Sequence, residues 1–260
     1  MNILETILAK KRTEVARQKE DQPVRELEKK PFFRRETLSF RDFLLRGDKS
    51  GIIAEFKRKS PSRGVINDRV SVASVTTDYA KYGASAISVL TDAHFFGGSM
   101  DDLTEATVNE VPLLRKDFII DEYQLIESKA FGAAVILLIA ACLSPAEVKV
   151  LAAVAKNLGL NVLLEIHNEQ ELAHICKDVD VVGVNNRDLK TFRVDLERSA
   201  ELGKLIPEGI VKVSESGLDT IGAIKFLRSH GFDGFLIGEK FMKDPNPGLA
   251  FKKFSDELKM

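Results

Sequence analysis

The chain has no tryptophan, only two cysteines and four histidines among its 260 residues, and no surplus of either charge. Each shortage excludes something. Cys142 and Cys176 are too few for a disulfide framework and read as small packed thiols of a reducing compartment. Lys and Arg total 38 against 39 Asp and Glu, a net charge of −1, whereas general nucleic-acid binding needs a basic surplus on one face. The longest apolar run, residues 131–143, falls short of the roughly 18 residues that span a bilayer. Residues 1–20 mix Glu5, Glu14 and Glu20 with their basic residues, which fits neither a secretory signal nor an acid-poor transit peptide. The expected compartment is the cytoplasm, with no membrane or nucleic-acid partner. The oligomeric state is left open, a monomer included.

What the chain does have is length and a repeat. A mass of 28.9 kDa implies roughly 42,000 Å² of surface unfolded and about 11,000 Å² folded, enough burial for a large core. Short apolar, β-branched runs recur at 52–56, 86–90, 111–114, 133–138, 162–164, 181–184, 210–213 and 235–237. Each interval has room for one helix and two loops, which is a βα repeat. The runs are continuous instead of alternating, as expected for parallel strands covered on both faces. Eight such units predict an α/β fold, a (β/α)8 TIM barrel over residues 51–260. A doubly wound open sheet is the structural alternative, but the glycine-rich first turn typical of it is missing after Phe56.

Punctuation supports the repeat. Gly83, Gly132, Gly159 and Gly231 each follow a helical stretch and precede a run, as C′ residues do. Ser144-Pro145-Ala146-Glu147 combines an N-cap serine, a proline at N1 and a glutamate at N3. Residues 1–50 stand outside the repeat and form a helical extension expected to pack on the barrel within one structural domain. Ile3, Leu4, Ile7, Leu8 and Val15 line one side of a helix running to about Lys19, and Ser39-Phe40-Arg41-Asp42 resembles a capping box for a second. A plug at the bottom of the barrel and a lid near a substrate are both open for this segment.

Active sites of such barrels lie at the C-terminal ends of the strands. The residues at or just past the ends of the runs are Glu55 and Lys57; Thr91 and Asp92; Arg115, Lys116 and Asp117; Glu165; Asn185, Asn186 and Arg187; Ser214, Glu215 and Ser216; and Gly238. The fourth run ends in Ala140 and Ala141 instead. Two lysines and three glutamates converging on one mouth perturb each other's protonation, which is what general acid–base chemistry needs. Ser-Glu-Ser-Gly after the seventh run and Ile-Gly-Glu-Lys after the eighth expose backbone N–H groups at the corner where barrels often hold a phosphate. A phosphorylated small molecule is the expected substrate.

Other features read as structure. Glu171 and His174 have the spacing of half a carboxylate metal site, yet the second half is missing, and His167 stands apart near the fifth run. No metal or other cofactor is expected. Lys57, Arg58, Lys59 and Arg63 lack the aromatic interleaving of a nucleic-acid patch; with Ser60-Pro61-Ser62 and Gly64 they read as a mobile substrate-clamping loop.

These segments resemble the indole-3-glycerol-phosphate synthase family of tryptophan biosynthesis. The likeness is carried by Glu55-Phe56-Lys57-Arg58-Lys59-Ser60-Pro61-Ser62, Leu114-Arg115-Lys116-Asp117-Phe118, Leu164-Glu165, Gly183-Val184-Asn185-Asn186-Arg187-Asp188-Leu189 and Ser214-Glu215-Ser216-Gly217. It covers nearly the whole chain, from the opening Ile3-Leu4-Glu5-Thr6-Ile7 onward. The resemblance implies a lyase that closes a ring with loss of CO2 and water. It implies Lys116 as general acid and Glu165 as base, with Glu55 and Glu215 positioning Lys116 and substrate hydroxyls and Asn185 bonding the sugar. Lys57, helped by Ser60 and Arg187, would reach phosphate or carboxylate, and Phe118 would pack on the aromatic ring. Ser216, Gly217, Gly238 and Glu239 would offer donors to the phosphate, although a carboxylate at Glu239 suits that place only if it points away. The competing readings are another phosphate-binding barrel, such as phosphoribosylanthranilate isomerase with a Cys/Asp pair and no extension, and a non-catalytic phosphosugar-binding protein.

Overall fold

A computed structural model describes residues 3–188 and 193–260, so Leu189 of the sequence motif lies outside the described residues. Eight parallel strands close into a barrel: β1 (Ile52–Phe56), β2 (Ala86–Leu90), β3 (Leu113–Lys116), β4 (Val135–Ile139), β5 (Asn161–Ile166), β6 (Val181–Asn185), β7 (Val211–Glu215) and β8 (Gly234–Ile237). Closure is made by β1 against β8, with Ile53 opposite Leu236, and this excludes the open sheet.

The strands differ from the apolar runs mainly at their ends. β3 begins after Pro112, which has no N–H to give to a ladder. Both β3 and β7 continue two residues past the apolar run, through Arg115-Lys116 and Ser214-Glu215. Hydrogen bonding does not stop where polarity begins, because these side chains have partners of their own.

All four predicted helix stops hold. Gly83, Gly132, Gly159 and Gly231 have φ of 97, 94, 72 and 79°, the left-handed region where a Cβ is strained. At the first, Ala84 N–H donates to Tyr79 C=O and Gly83 N–H to Ala80 C=O, the double bond of a Schellman motif. Helix Pro145–Asn157 opens with both halves of its capping box. At helix Phe40–Leu45 the Ser39 hydroxyl accepts from the Asp42 amide, half of the box expected there.

Alternation along each strand sorts the side chains into two sets. Ile53, Leu114, Val135, Leu137, Leu163, Val213 and Leu236 point inward and form one buried cluster. Ile52, Ala54, Phe56, Ile87, Val89, Leu164 and Val182 point outward and pack in another with the helices. The extension meets both ends of this barrel. Phe40 and Leu44 are buried in the inner cluster at the start of the strands, where Asn161 of β5 accepts the Phe40 amide at 3.2 Å and donates to the Leu38 carbonyl at 3.1 Å. Helix α1 (Ile3–Asp21) instead sets Ile3, Leu4 and Ile7 in the wall of the opposite mouth.

The tie holding α1 is electrostatic and was not visible in its apolar stripe. Lys11 is 1% exposed, with Nζ 2.9 Å from both Asp92 Oδ2 and Asp117 Oδ1, at the ends of β2 and β3. Burial lowers the Lys11 pKa, but Asp117, Asp92 and Glu14 outweigh it and hold the ammonium above its ordinary value. Asp117 also meets Arg115 at 3.0 Å, and Arg115 reaches Glu127 at 2.8 Å and the Gln124 carbonyl at 3.0 Å on helix Glu122–Ala130. Arg115 and the Asp117 carboxylate therefore do not face the mouth, as their place after the third run implied. They lie at the outward parity, between strand and helix, and Thr91 joins them by donating to Asp117 at 2.7 Å.

Removing one partner of a buried ion pair costs about 3–5 kcal/mol, because the other charges stay buried uncompensated. Lys11→Met is expected to destabilise the fold by about that amount in urea unfolding. A change below about 1 kcal/mol, the level of a surface pair, would show that the cluster does not hold the helix.

Candidate active site

The inward parity that carries core residues low in the barrel carries charges at its mouth. On β1 it runs Ile53, Glu55, Lys57; on β3 Leu114, Lys116; on β5 Leu163, Glu165, His167; on β6 Val181, Gly183, Asn185; on β7 Val213, Glu215. Of these, Glu55, Lys57, Lys116, Glu165, His167, Asn185 and Glu215 line a cavity of about 1900 Å³. A second cleft of about 820 Å³, against Lys19, Val24, Tyr123 and Val150, has none of them in its wall.

Lys116 is the hub. Its Nζ lies 3.0 Å from Glu165 Oε2 and 2.5 Å from Glu215 Oε2. Lys57 Nζ lies 2.7 Å from Glu55 Oε1, so Glu55 pairs with Lys57 and not directly with Lys116. The Asn185 amide donates to Glu165 Oε1 at 3.0 Å, and its oxygen accepts the Arg187 backbone N–H at 3.0 Å. The Asn185 side chain thus props up Glu165, a task additional to the sugar contact expected of it.

Burial by itself would lower the Lys116 pKa, but Glu165, Glu215 and Glu55 outweigh it and raise it, so the ammonium is firmly held. The two carboxylates sharing it are driven apart. Burial pushes both upward; for Glu165, Lys116, His167 and Asn185 reverse this and hold it well below the usual range. For Glu215 burial wins, reinforced by the neighbouring charges of Glu165 and Glu55, and its pKa is raised. Two buried carboxylates sharing one ammonium cannot both ionise at equal cost, and the environment chooses between them.

Two glycines make the space these glutamates occupy. A Cβ on Gly183 would collide with Glu215 Oε1, and one on Gly238 would sit 2.5 Å from Glu55 Oε1 and 2.8 Å from its Cβ. Gly238 therefore has a packing role in addition to any donor it offers a phosphate.

The turns after β7 and β8, expected to serve a phosphate, have a defined backbone geometry. Among the described residues Ser216 is the one non-glycine with positive φ, 73°, and Gly217 follows at 69°, so the chain turns twice through the left-handed region. Asn186, which had no assigned role, secures the turn by donating to the Ser216 carbonyl at 2.7 Å and accepting from Ser214 at 3.1 Å. Gly238 N-caps the short helix Glu239–Met242. The Glu239 carboxylate is drawn 2.5 Å from Lys243 and 3.2 Å from Arg63, which neutralises it.

The segment after β1 is a small antiparallel ladder, Lys59–Ser60 with Gly64–Val65. Its basic residues are largely spoken for: Arg58 pairs with Asp102 and Lys59 donates to the His94 carbonyl at 2.8 Å, while Ser60 and Lys57 stay on the cavity wall. Phe118 lines the cavity with Phe96, ring centres 6.2 Å apart, and Phe96 was not anticipated because it lies in a loop helix after β2. Arg187 lines the far wall. His167 was set aside as an isolated histidine; its parity with Glu165, two residues earlier, was the signal that places it in the mouth.

A family model described as "Indole-3-glycerol phosphate synthase" matches residues 4–254. The chain belongs to the indole-3-glycerol phosphate synthase family. Relatives bearing that name include proteins of Bacteroides thetaiotaomicron, 46% identical over 97% of both chains, and Salinibacter ruber, 43% identical over 100% of this chain and 97% of the other. A third, from Bordetella pertussis, is 40% identical over 97% of this chain and 98% of its own. The likeness spans the extension and every strand end of this synthase-family chain.

For this family member, Gly183→Ala is expected to push the Glu215 carboxylate off Lys116. A displacement of about 1 Å can cost about 10²-fold in turnover, so a loss of that order in a folded variant is the expected outcome. Unchanged turnover with Glu215 still 2.5 Å from Lys116 would contradict the packing argument.

Proposed function

We propose that this chain is an indole-3-glycerol-phosphate synthase, a carboxy-lyase of tryptophan biosynthesis. Its substrate on this reading is 1-(2-carboxyphenylamino)-1-deoxyribulose 5-phosphate, converted to indole-3-glycerol phosphate, CO2 and water. The observation that carries the reading is Lys116 held between Glu165 and Glu215 in the mouth of a barrel of this family.

The chemistry fits those groups. The ring carbon bearing the carboxylate attacks the ketone, and the carbonyl oxygen becomes an alkoxide. Lys116 gives that oxygen its proton; an ammonium with a raised pKa holds the proton until such a strong base develops beside it. Loss of CO2 returns the ring to aromaticity. Glu165, kept ionised by its neighbours, then takes a proton from the methylene between the ring nitrogen and the former ketone carbon as that carbon expels hydroxide, which solvent protonates to water. Glu215 and Asn185 position Lys116 and Glu165, and Glu55 holds Lys57 toward the substrate. Lys57, Ser60 and Arg187 meet phosphate or carboxylate, and Phe118, with Phe96, meets the ring. Ser216, Gly217, Gly238 and Glu239 serve the phosphate, Glu239 through its backbone, since its carboxylate is bound to Lys243 and Arg63.

The extension belongs to this one domain and contributes the apolar face of α1 to the mouth. A doubly charged phosphate does not cross membranes unaided, which supports a reaction in the cytoplasm, where such a substrate is made and kept. No described helix is long and apolar enough to cross a membrane. The isomerase alternative is not favoured: the relatives are synthases, and burial, with Glu165 and Glu171, pushes the Cys142 thiol up to about 12.

Lys116→Ala is expected to lose at least about two orders of magnitude in turnover; a rate near that of the unmodified enzyme excludes Lys116 as the acid. Lys57→Met is expected to act on substrate affinity, raising KM with kcat largely kept. A collapsed kcat at unchanged KM would make Lys57 catalytic instead.

A further inference from the structure

His167 stands two residues beyond Glu165 and is 7% exposed. Its Nε2 lies 3.2 Å from Glu165 Oε1 and its Nδ1 lies 3.3 Å from Glu171 Oε2. Glu171 is itself fixed. The same oxygen accepts the His167 backbone N–H at 2.7 Å, and the other accepts the Asn168 amide at 2.7 Å. Arg198, from helix Leu196–Leu205, donates to the His167 carbonyl at 2.6 Å and pins the backbone. The imidazole thus lies between two carboxylates of the cavity wall, one on Lys116 and one away from it.

A neutral imidazole has one N–H and one lone pair, and a carboxylate has only lone pairs to offer. In this position a neutral ring leaves one nitrogen facing a carboxylate lone pair to lone pair. The imidazolium donates from Nδ1 to Glu171 and faces Glu165 from Nε2 as an ion pair at 3.2 Å.

We propose that His167 is a positioning residue, carried as an imidazolium between Glu165 and Glu171, that orients the Glu165 carboxylate and keeps it ionised. This rests on the reading of Glu165 as the base. The point of a second cation follows from the charge count. Lys116 shares its single charge among Glu165, Glu215 and, more distantly, Glu55. Once Lys116 has passed its proton to the alkoxide, that charge is gone, and Glu165 would be pushed toward its neutral form just before it must act as base. The His167 charge does not take part in that transfer, so it stays beside Glu165 Oε1 through the step.

The groups facing His167 are Glu165 and, behind it, Lys116 on the barrel side; Glu171 and Asn168 on its own turn; Arg198, which also lies 3.5 Å from Asp188; and the Cys142 thiol, close to the same two carboxylates. Burial pulls the ring toward neutrality, but Glu165 and Glu171 outweigh it and push the His167 pKa up to about 9. The sign follows. A pKa raised above the unfolded value near 6.5 gives stability that is full below about pH 6.5 and lost as pH rises through about 9.

The test is an imidazole ¹⁵N titration of the full-length protein between pH 5.5 and about 10, with His167 assigned by the signal missing in His167→Gln. Both ring nitrogens of His167 are expected to stay protonated until about pH 9. In Glu171→Gln the midpoint should fall by about one unit or more, and the alkaline limb of kcat should move down with it while KM stays within about twofold. A His167 midpoint at the ordinary value near 6.5, or a limb that stays put when the midpoint moves, overturns the proposal. The titration needs no substrate, so failure of the synthase reading leaves the imidazolium visible, and failure of the imidazolium leaves the synthase assay intact.

Discussion

Successive side chains of a strand point to opposite faces, and in a closed barrel one face is the interior and the other meets the helices. The charged residues at the strand ends of this barrel are governed by that constraint. Lys116 and Arg115 are adjacent in sequence, yet one enters the reaction cavity and the other is buried against helix Glu122–Ala130. A shift of one residue in β3 would turn each of its side chains to the other face, putting the guanidinium into the mouth and the ammonium against the helix.

Two charge networks result, back to back across the strand ends. The outer one, Lys11 with Asp92 and Asp117 and then Arg115 with Glu127, joins the extension, two strands and a helix. The inner one runs Lys57 to Glu55, and Lys116 to Glu165 and Glu215, with His167 and Glu171 continuing from Glu165. Buried ion pairs are poor sources of stability beside apolar packing, but they are geometrically exacting. The outer network fixes where β3 ends, and so where Lys116 starts. The inner network keeps Lys116 and Glu165 within 3.0 Å of each other in opposite charge states.

Much of this was legible in the sequence, because the signals were local. The four glycines past their helices and the Ser144 box stop and start elements by backbone geometry within a turn. Eight apolar runs gave the strands, and Lys116, Glu165 and Glu215 stood where strand-end chemistry should be. What escaped needed three-dimensional neighbours. Lys11 interrupts an apolar stripe by one residue and looks solvated until Asp92 and Asp117, more than 80 positions away, are brought to it. Gly183 reads as a weak point in a strand until Glu215 fills the space beside it. Arg115 and Asp117 were put at the mouth with Lys116 because strand parity was not carried past the apolar run, and the same omission hid His167.

The central claim is that the Lys116, Glu165 and Glu215 cluster closes a ring with loss of its carboxylate. The chain itself contains no tryptophan, so a new indole is seen against a nearly dark protein. The most direct measurement supplies the purified protein with carboxyphenylamino-deoxyribulose phosphate labelled at its carboxyl carbon, and follows indole fluorescence and labelled CO2 together. The account predicts that both appear in equal amounts. Label retained in the product, or substrate bound and returned unchanged by the folded protein, would contradict it.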